Sequence, residues 1–477
     1  MSKLMFYSSD NNAIEVDVYQ SSMQVLDNDM VFMAATDYGD VLIITSNGQY
    51  RILELNHETA MFLRKNFPFT APSRVLRLDK TIGTGDRLGV AGDGHIACVN
   101  AAEYAPVLAQ QSIRELNLTG RSYEDVLDAA TFAVFRNGYK KPWGADGDHL
   151  KKPEEIEYAI SCGYTMITLD CSEYIKSGID KLSDEQLNEI YVRDSEREAL
   201  YIGKSFEIAP GVLICYDERS YKECVSIYGA AIDFIEDMYA LYIQSGTRDF
   251  EISIDETATP TTPAQHFFVA NELARRGIKF DTLAPRFCGE FQKGIDYIGD
   301  LSQFEEELKV HAAIAAKFDY KISVHSGSDK FSVFPAIGKL TNGKFHIKTA
   351  GTNWLEAMKL IAIYEPQLYR EVHKFALESF DEARKYYVVT TNIANIPDID
   401  TLSDEQLPEL FANNDARQLI HITYGLILSA SNGDGSYIYR TRLYTAWRKY
   451  KDAYCKLIAD HIGHHISQLD SLIGIEK

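Results

Sequence analysis

From about residue 75 onward, short apolar runs ending in Gly, Asp or polar clusters alternate with longer segments of helical period. The runs predict strands near 75–82, 141–147, 164–170, 250–255, 278–286, 320–325, 345–349 and 386–390, the second resting on the least strand-like residues, KPWGADG. Helices are predicted at 101–117, 122–137, 154–162, 263–277, 301–318 and 353–384; one is framed by Pro263 in its first turn and Gly277 just past its end. Strand and helix alternating this regularly build a parallel sheet with helical crossovers, and eight units predict an α/β fold of the TIM-type (β/α)8 barrel class. A doubly wound open sheet is the rival, because strand count does not show closure.

Three stretches lie outside the alternation. Residues 1–75 carry VFMAAT, VLIITS and YRILEL joined by YGD and SNGQ turns, which predicts an N-terminal accessory β-rich unit. Residues 172–246 form an insertion after strand three, and 401–477 a helical C-terminal extension packed on the barrel. The predicted organisation is therefore 1–75, a catalytic barrel over 76–400 interrupted by 172–246, and 401–477. What remains after the additions is about the 250 residues one barrel takes. The phrase LSDEQL occurs at 182–187 and 402–407, where Ser183 with Gln186 and Ser403 with Gln406 match a helix capping box better than a duplication.

Composition narrows the function. The 477 residues include 48 basic and 69 acidic ones, a formal charge of -21, which argues against nucleic acid or an anionic membrane as partner but not against a small anionic substrate. Seven cysteines show no CxxC pair, and no stretch of 18 apolar residues occurs, so a reduced, cytoplasmic protein without a membrane span is expected. A homo-oligomer is compatible with the sequence.

In a barrel of this class, ionisable residues at the C-terminal ends of strands face the active site. His149, His325 and His346 end three different strands, an arrangement in which imidazoles converge on one divalent metal; the alternative is hydrogen bonding within a polar barrel mouth. Alternation places His325 with Ser323, and His346 with Lys348, on inward faces. By the same parity Asp255 points inward, and the backbone must break at the strand end for Glu256 to act. Asp148 adjoins His149, and Asp170, on the face of Thr168, is an alternative ligand or substrate contact. The loop GTGDRLG has GxGxxxG spacing and no Lys-Ser/Thr, so it is a tight turn offering Asp86 and Arg87 to a substrate and not a nucleotide loop. Arg87, Arg286, Lys330 and Lys348 provide positive charge for a substrate carboxylate, unless local Asp or Glu residues pair with them. His311 fits a packed helical stripe, and His461, His464 and His465 fit a solvated helical surface better than a metal site.

At these residues the sequence resembles the bacterial tagaturonate epimerase family, which interconverts tagaturonate and fructuronate with a divalent metal. The resemblance is densest in GTGDRLG, GADGDHLK, SIDETATPTTPAQHFFVANELARRG, LAPRFCGEFQKGIDYIGDLSQFE, SVHSGSDKFSVFP, FHIKTAGTNWLEA and ARQLIHITYG. It implies a metal (Mn, Ni, Co, Fe or Zn) held by His149, His325 and His346, with Asp148 as proton acceptor and Glu256 as proton donor. The inverted stereocentre lies one carbon beyond the position acidified by the ketone, so the expected route is retro-aldol cleavage, rotation of the aldehyde and re-addition. Another metal-dependent sugar isomerase or aldolase on the same barrel, and a non-catalytic carbohydrate-binding protein, are the alternatives.

Overall fold

The structure is a computed structural model that describes residues 2–7 and 13–474. An N-terminal antiparallel sheet is formed by β1 (Ser2–Tyr7), β2 (Ala13–Val18), β3 (Gln24–Leu26), β4 (Asp29–Thr36), β5 (Gly39–Ser46) and β6 (Gln49–Glu54). The three runs singled out in the sequence are β4, β5 and β6, paired as consecutive hairpins.

The barrel strands are β7 (Lys80–Gly83), β8 (Ala105–Gln111), β9 (Gly144–Leu150), β10 (Met166–Asp170), β13 (Asp249–Ile254), β14 (Thr282–Pro285), β15 (Lys321–Val324) and β16 (Phe345–Lys348). They pair in parallel, in chain order, and β16 closes on β7. Closure excludes the open doubly wound sheet. The intervening hairpin β11 (Lys204–Ala209) and β12 (Val212–Tyr216) belongs to the insertion, as does the long helix Glu218–Met238.

Two strand assignments change. The run APVLAQQ, expected within a helix, is β8: every residue is buried, so it lacks the alternation that marks a half-exposed strand, and its Ala and Gln favour helix in isolation. Residues 386–390, expected as the eighth strand, lie outside the sheet, where Thr390 N donates to Gln292 Oε1 at 3.0 Å. The insertion consequently follows the fourth barrel strand, not the third. The first strand also starts later than predicted. Val75 and Leu76 are held in a turn by the buried carboxylate of Asp249, which accepts from their backbone N–H groups at 2.6 and 2.9 Å and from Arg74 Nε at 2.9 Å. The helix expected over 353–384 is broken at Pro366, which has no N–H to continue it.

The C-terminal helix Lys451–Asp470 packs against the helices Gly92–Asn100 and Phe334–Leu340. It approaches so closely that a Cβ at Gly94 would overlap Ile458, and one at Gly338 would overlap the Leu469 carbonyl. A polar clamp completes the docking: His461 Nε2 donates to Asp329 Oδ1 at 2.6 Å, while Asp329 N donates to His465 Nε2 at 3.0 Å. The expected solvated face therefore applies to His464 alone, since His465 is buried and His461 is half-buried against Asp329 and Glu356. His311 is a buried core residue bonded to His266, and both LSDEQL phrases start helical turns with the capping boxes read in the sequence.

Candidate active site at the barrel mouth

A cavity of about 340 Å³ opens at the C-terminal ends of the strands, within the size range of small-molecule sites. Its floor is built around Lys348, the last residue of β16. The ammonium donates to Asp146 Oδ2 (2.8 Å), Asp148 Oδ1 (2.6 Å) and Thr168 Oγ1 (2.7 Å) and lies 2.7 Å from Glu251 Oε1. These groups come from the inward faces of β9, β10, β13 and β16, so barrel closure alone brings them together. Burial opposes charge on every one of them, and the outcome is decided by pairing. Burial would raise the Asp148 carboxyl, but Lys348 and His149 outweigh it and hold that group far below its ordinary value. Glu251 is likewise held well below, against burial, by Lys348 and His325. Asp146 is pushed up to about 6, because burial and the Asp148 and Glu251 charges exceed the pull of Lys348. Burial works against the Lys348 ammonium too, yet its carboxylate neighbours keep it well above the ordinary lysine value.

Above this layer, His149 and His325 face each other with ring centroids 4.8 Å apart. Strict alternation would turn Asp148 and His149 to opposite faces. A register shift between β9 and β10 inserts one extra residue, and His149 takes a left-handed φ of 54°, so both side chains reach the cavity. His149 Nδ1 donates to Asp148 Oδ1 at 2.8 Å, which fixes the ring and leaves Nε2 for other partners. Burial would lower the His149 imidazole, but Asp148 prevails and moves it up to about 10. His325 is bracketed by Asp255 (3.0 Å) and Glu251 (2.8 Å), whose charges exceed the burial penalty and raise it.

A ligand atom from each of His149, Asp255 and His325 falls within 4.8 Å of the others, a two-imidazole, one-carboxylate set suited to a first-row divalent cation. His149, Asp170 and Glu256 form another group, of one imidazole and two carboxylates. His346 joins neither. It is fully buried beneath Lys348 on the same strand face, with Nδ1 2.9 Å from Thr81 Oγ1 and, among the described residues, no partner at Nε2; burial pushes it down to about 3, which favours the neutral imidazole.

The other residues selected from the sequence divide. Glu256, Arg87 and Arg286 line the cavity. β13 stops at Ile254 and the chain bends after it, which frees Glu256 from strand parity, while Asp255 points inward as alternation requires. Asp86 is occupied in its own turn, accepting from the N–H groups of Leu88, Gly89 and Ala91. Lys330 is buried and donates to the carbonyls of Gln292, Ile295 and Ser328, so its charge is spent on the loop backbone. Asp170 caps Ser172 N at 2.8 Å and lies 3.4 Å from Lys151, outside the cavity lining.

Several lining residues escaped sequence reasoning. Gln110, next to last in the unrecognised β8, reaches over Gly83, where any Cβ would collide with its carboxamide. Arg114 lies in no motif singled out in the sequence, and Lys293 and His421 lie within LAPRFCGEFQKG and ARQLIHITYG but had no site role assigned to them. Glu251 was legible through the alternation of FEISID, which sets Glu251, Ser253 and Asp255 on one face.

The tagaturonate epimerase (UxaE) family model matches residues 12–469. The chain is 39% identical over 475 residues to the tagaturonate/fructuronate epimerase of Thermotoga maritima, covering 95% of this chain and 97% of the relative. It is also similar to the fructuronate-tagaturonate epimerase UxaE from Cohnella laeviribosi, in its native form and with one glycerol bound. Each superposes with a TM-score of 0.93 at 47% identity, over 95% of this chain and 96% of the other. Since the match runs through the N-terminal sheet, the closed barrel and the C-terminal helices alike, the chain belongs to the tagaturonate epimerase family of isomerases.

Proposed function

We propose that this isomerase interconverts D-tagaturonate and D-fructuronate by retro-aldol and aldol steps, with a divalent cation held by His149, His325 and His346 and with Asp255 beside them. The observation that carries the reading is the pairing of His149 and His325 with carboxylates at the floor of a cavity whose wall holds several cations. When bound, a divalent cation supplies Lewis-acid stabilisation for charge building on the ketone oxygen. Asp148 begins ionised, the state a proton acceptor needs, and takes the proton of the β-hydroxyl as the carbon–carbon bond breaks. Its contacts with Lys348 and His149 also make it a weak base. Glu256, at the open side of the cavity, returns a proton to the new hydroxyl after the aldehyde has turned over. Arg87 and Arg286 act from the wall. Asp86, Asp170 and Lys330 support the surrounding loops.

The purified protein should convert tagaturonate to fructuronate when supplied with Mn, Ni or Co and lose that activity on chelation. Absence of turnover with all three would reject the reading. A carbon label that scrambles between trapped aldehyde and three-carbon fragments supports bond cleavage; hydride transfer without scrambling overturns it. The third ligand is tested by comparing His346→Gln with Asp255→Asn. With His346 as ligand, H346Q loses more metal affinity than D255N, whose cost is then the about 10- to 100-fold of an outer partner that orients His325. The reverse order would assign Asp255 in its place.

A further inference from the structure

Most cations lining the cavity are already paired. Lys348 sits among carboxylates, Arg87 donates through Nε and Nη2 to Glu115 Oε1 at 2.8 and 2.5 Å, and Arg286 donates to the Thr257 carbonyl and lies 3.6 Å from Glu290. Lys293 and Arg114 differ: among the described residues neither has a carboxylate within ion-pair distance. Lys293 Nζ donates to Ser326 Oγ at 3.0 Å, and the Arg114 guanidinium stands 5.3 Å from the Tyr387 ring centre. Burial, and then the charges of Arg87 and Arg114, push the Lys293 ammonium below its ordinary value, so these cations are near enough to repel one another. Lys293, Arg114 and Arg87 outnumber the carboxylates that act on them, Glu115 and the more distant Glu256, and this excess of positive charge in a chain of net charge -21 suits an anion.

The surrounding groups have the same character. His421 lines this part of the cavity and is held neutral by burial and by the Arg87 and Lys293 charges. Among the described residues neither His421 Nδ1 nor Gln110 Oε1 has a hydrogen-bond partner. Ser326, which anchors Lys293, follows His325 directly and is held at a left-handed φ of 50°. An anion on Lys293 thereby lies beside the residue that follows His325, in the cavity that holds the histidine pair.

We propose that Lys293 and Arg114 form the subsite for the carboxylate of a sugar-acid substrate, holding its anionic end there and turning its ketone end toward His149 and His325. For the identity of that acid the proposal rests on the epimerase reading; the preference for an acid over a neutral sugar does not. Lys293 and Arg114 thus set specificity, and Arg87, committed to Glu115, positions them through its charge.

The test is calorimetric titration of non-reacting D-galactonate and its neutral counterpart galactitol into the purified full-length protein. Wild type should bind the acid about tenfold or more tighter than the alcohol, the scale of a charge-assisted hydrogen bond. K293M and R114M should each erode that ratio, K293M toward unity, with galactitol affinity unchanged, while K293R retains the preference. The proposal is overturned if wild type shows no preference, if K293M and R114M both keep it, or if a K293M protein with wild-type thermal unfolding weakens both ligands equally. Acid preference without turnover of tagaturonate would leave the subsite standing and remove the epimerase reading.

Discussion

Lys348→Met should destabilise the metal-free protein by about 3–5 kcal/mol at neutral pH, the scale seen when one partner of a buried ion pair is removed. The side chain has the right length for the space, so lost packing is small and the effect is electrostatic. Asp146, Asp148 and Glu251 would be left buried without their shared counter-ion. The pH dependence separates this account from a simple loss of fit. In wild type, Asp148 and Glu251 are held below their ordinary values, so their contribution is present above those values and disappears as the pH falls through the depressed ones. In the variant burial and mutual repulsion are opposed chiefly by His149 beside Asp148 and His325 beside Glu251, so all three carboxyls rise from their wild-type values. The folded variant then takes up protons more readily than folded wild type, and its deficit is largest at neutral pH and relieved on acidification. Denaturant unfolding of chelated protein should therefore show the gap between wild type and K348M narrowing from about pH 7 toward pH 4–5, near the ordinary carboxyl values. A gap that stays constant over this range would show that the lysine acts through packing.

His325→Ala should lower kcat/KM for tagaturonate by about a thousandfold or more, which corresponds to about 4 kcal/mol of transition-state stabilisation. Bound metal should fall in parallel. The imidazole is bracketed by Glu251 and Asp255 and faces His149, so no neighbouring side chain replaces it. Removing it also takes a positive charge from between two carboxylates, and His325→Asn, which keeps a polar group without a titrating one, guards against reading a folding defect as a catalytic one. A folded H325A protein that retains its metal and its turnover would reject the assignment of this cluster.

Much of the site was visible in the sequence because barrel strands carry their function at a fixed end and on a fixed face. The endings IDET, SVHS and HIKT contain Asp255, Glu256, His325, His346 and Lys348, and alternation correctly set His325 against Ile322 and Val324, which pack in the apolar core. Alternation failed where the backbone departs from a regular strand. The extra residue in β9 turns Asp148 and His149 toward one cavity, and the end of β13 at Ile254 frees Glu256. Neither irregularity leaves a local trace. Charge was harder to place than face: Lys330 and Asp86 stand in the same loops as true lining residues, but backbone carbonyls and N–H groups consume them, and these partners come from residues the sequence keeps apart.

By itself the sequence determined the class of fold, the N-terminal hairpins, the capped helix starts and the family, because each depends on short-range period, turn chemistry or long contiguous motifs. Tertiary structure decided which eight segments are the strands, since β8 is buried on both faces and carries no alternation, and it decided closure, which needs β16 to meet β7, the strand farthest from it along the barrel sequence. It also decided which ionised groups are free. Protonation and pairing inside a barrel follow from distances between strands far apart in sequence, and at low dielectric those distances outweigh any residue's intrinsic preference.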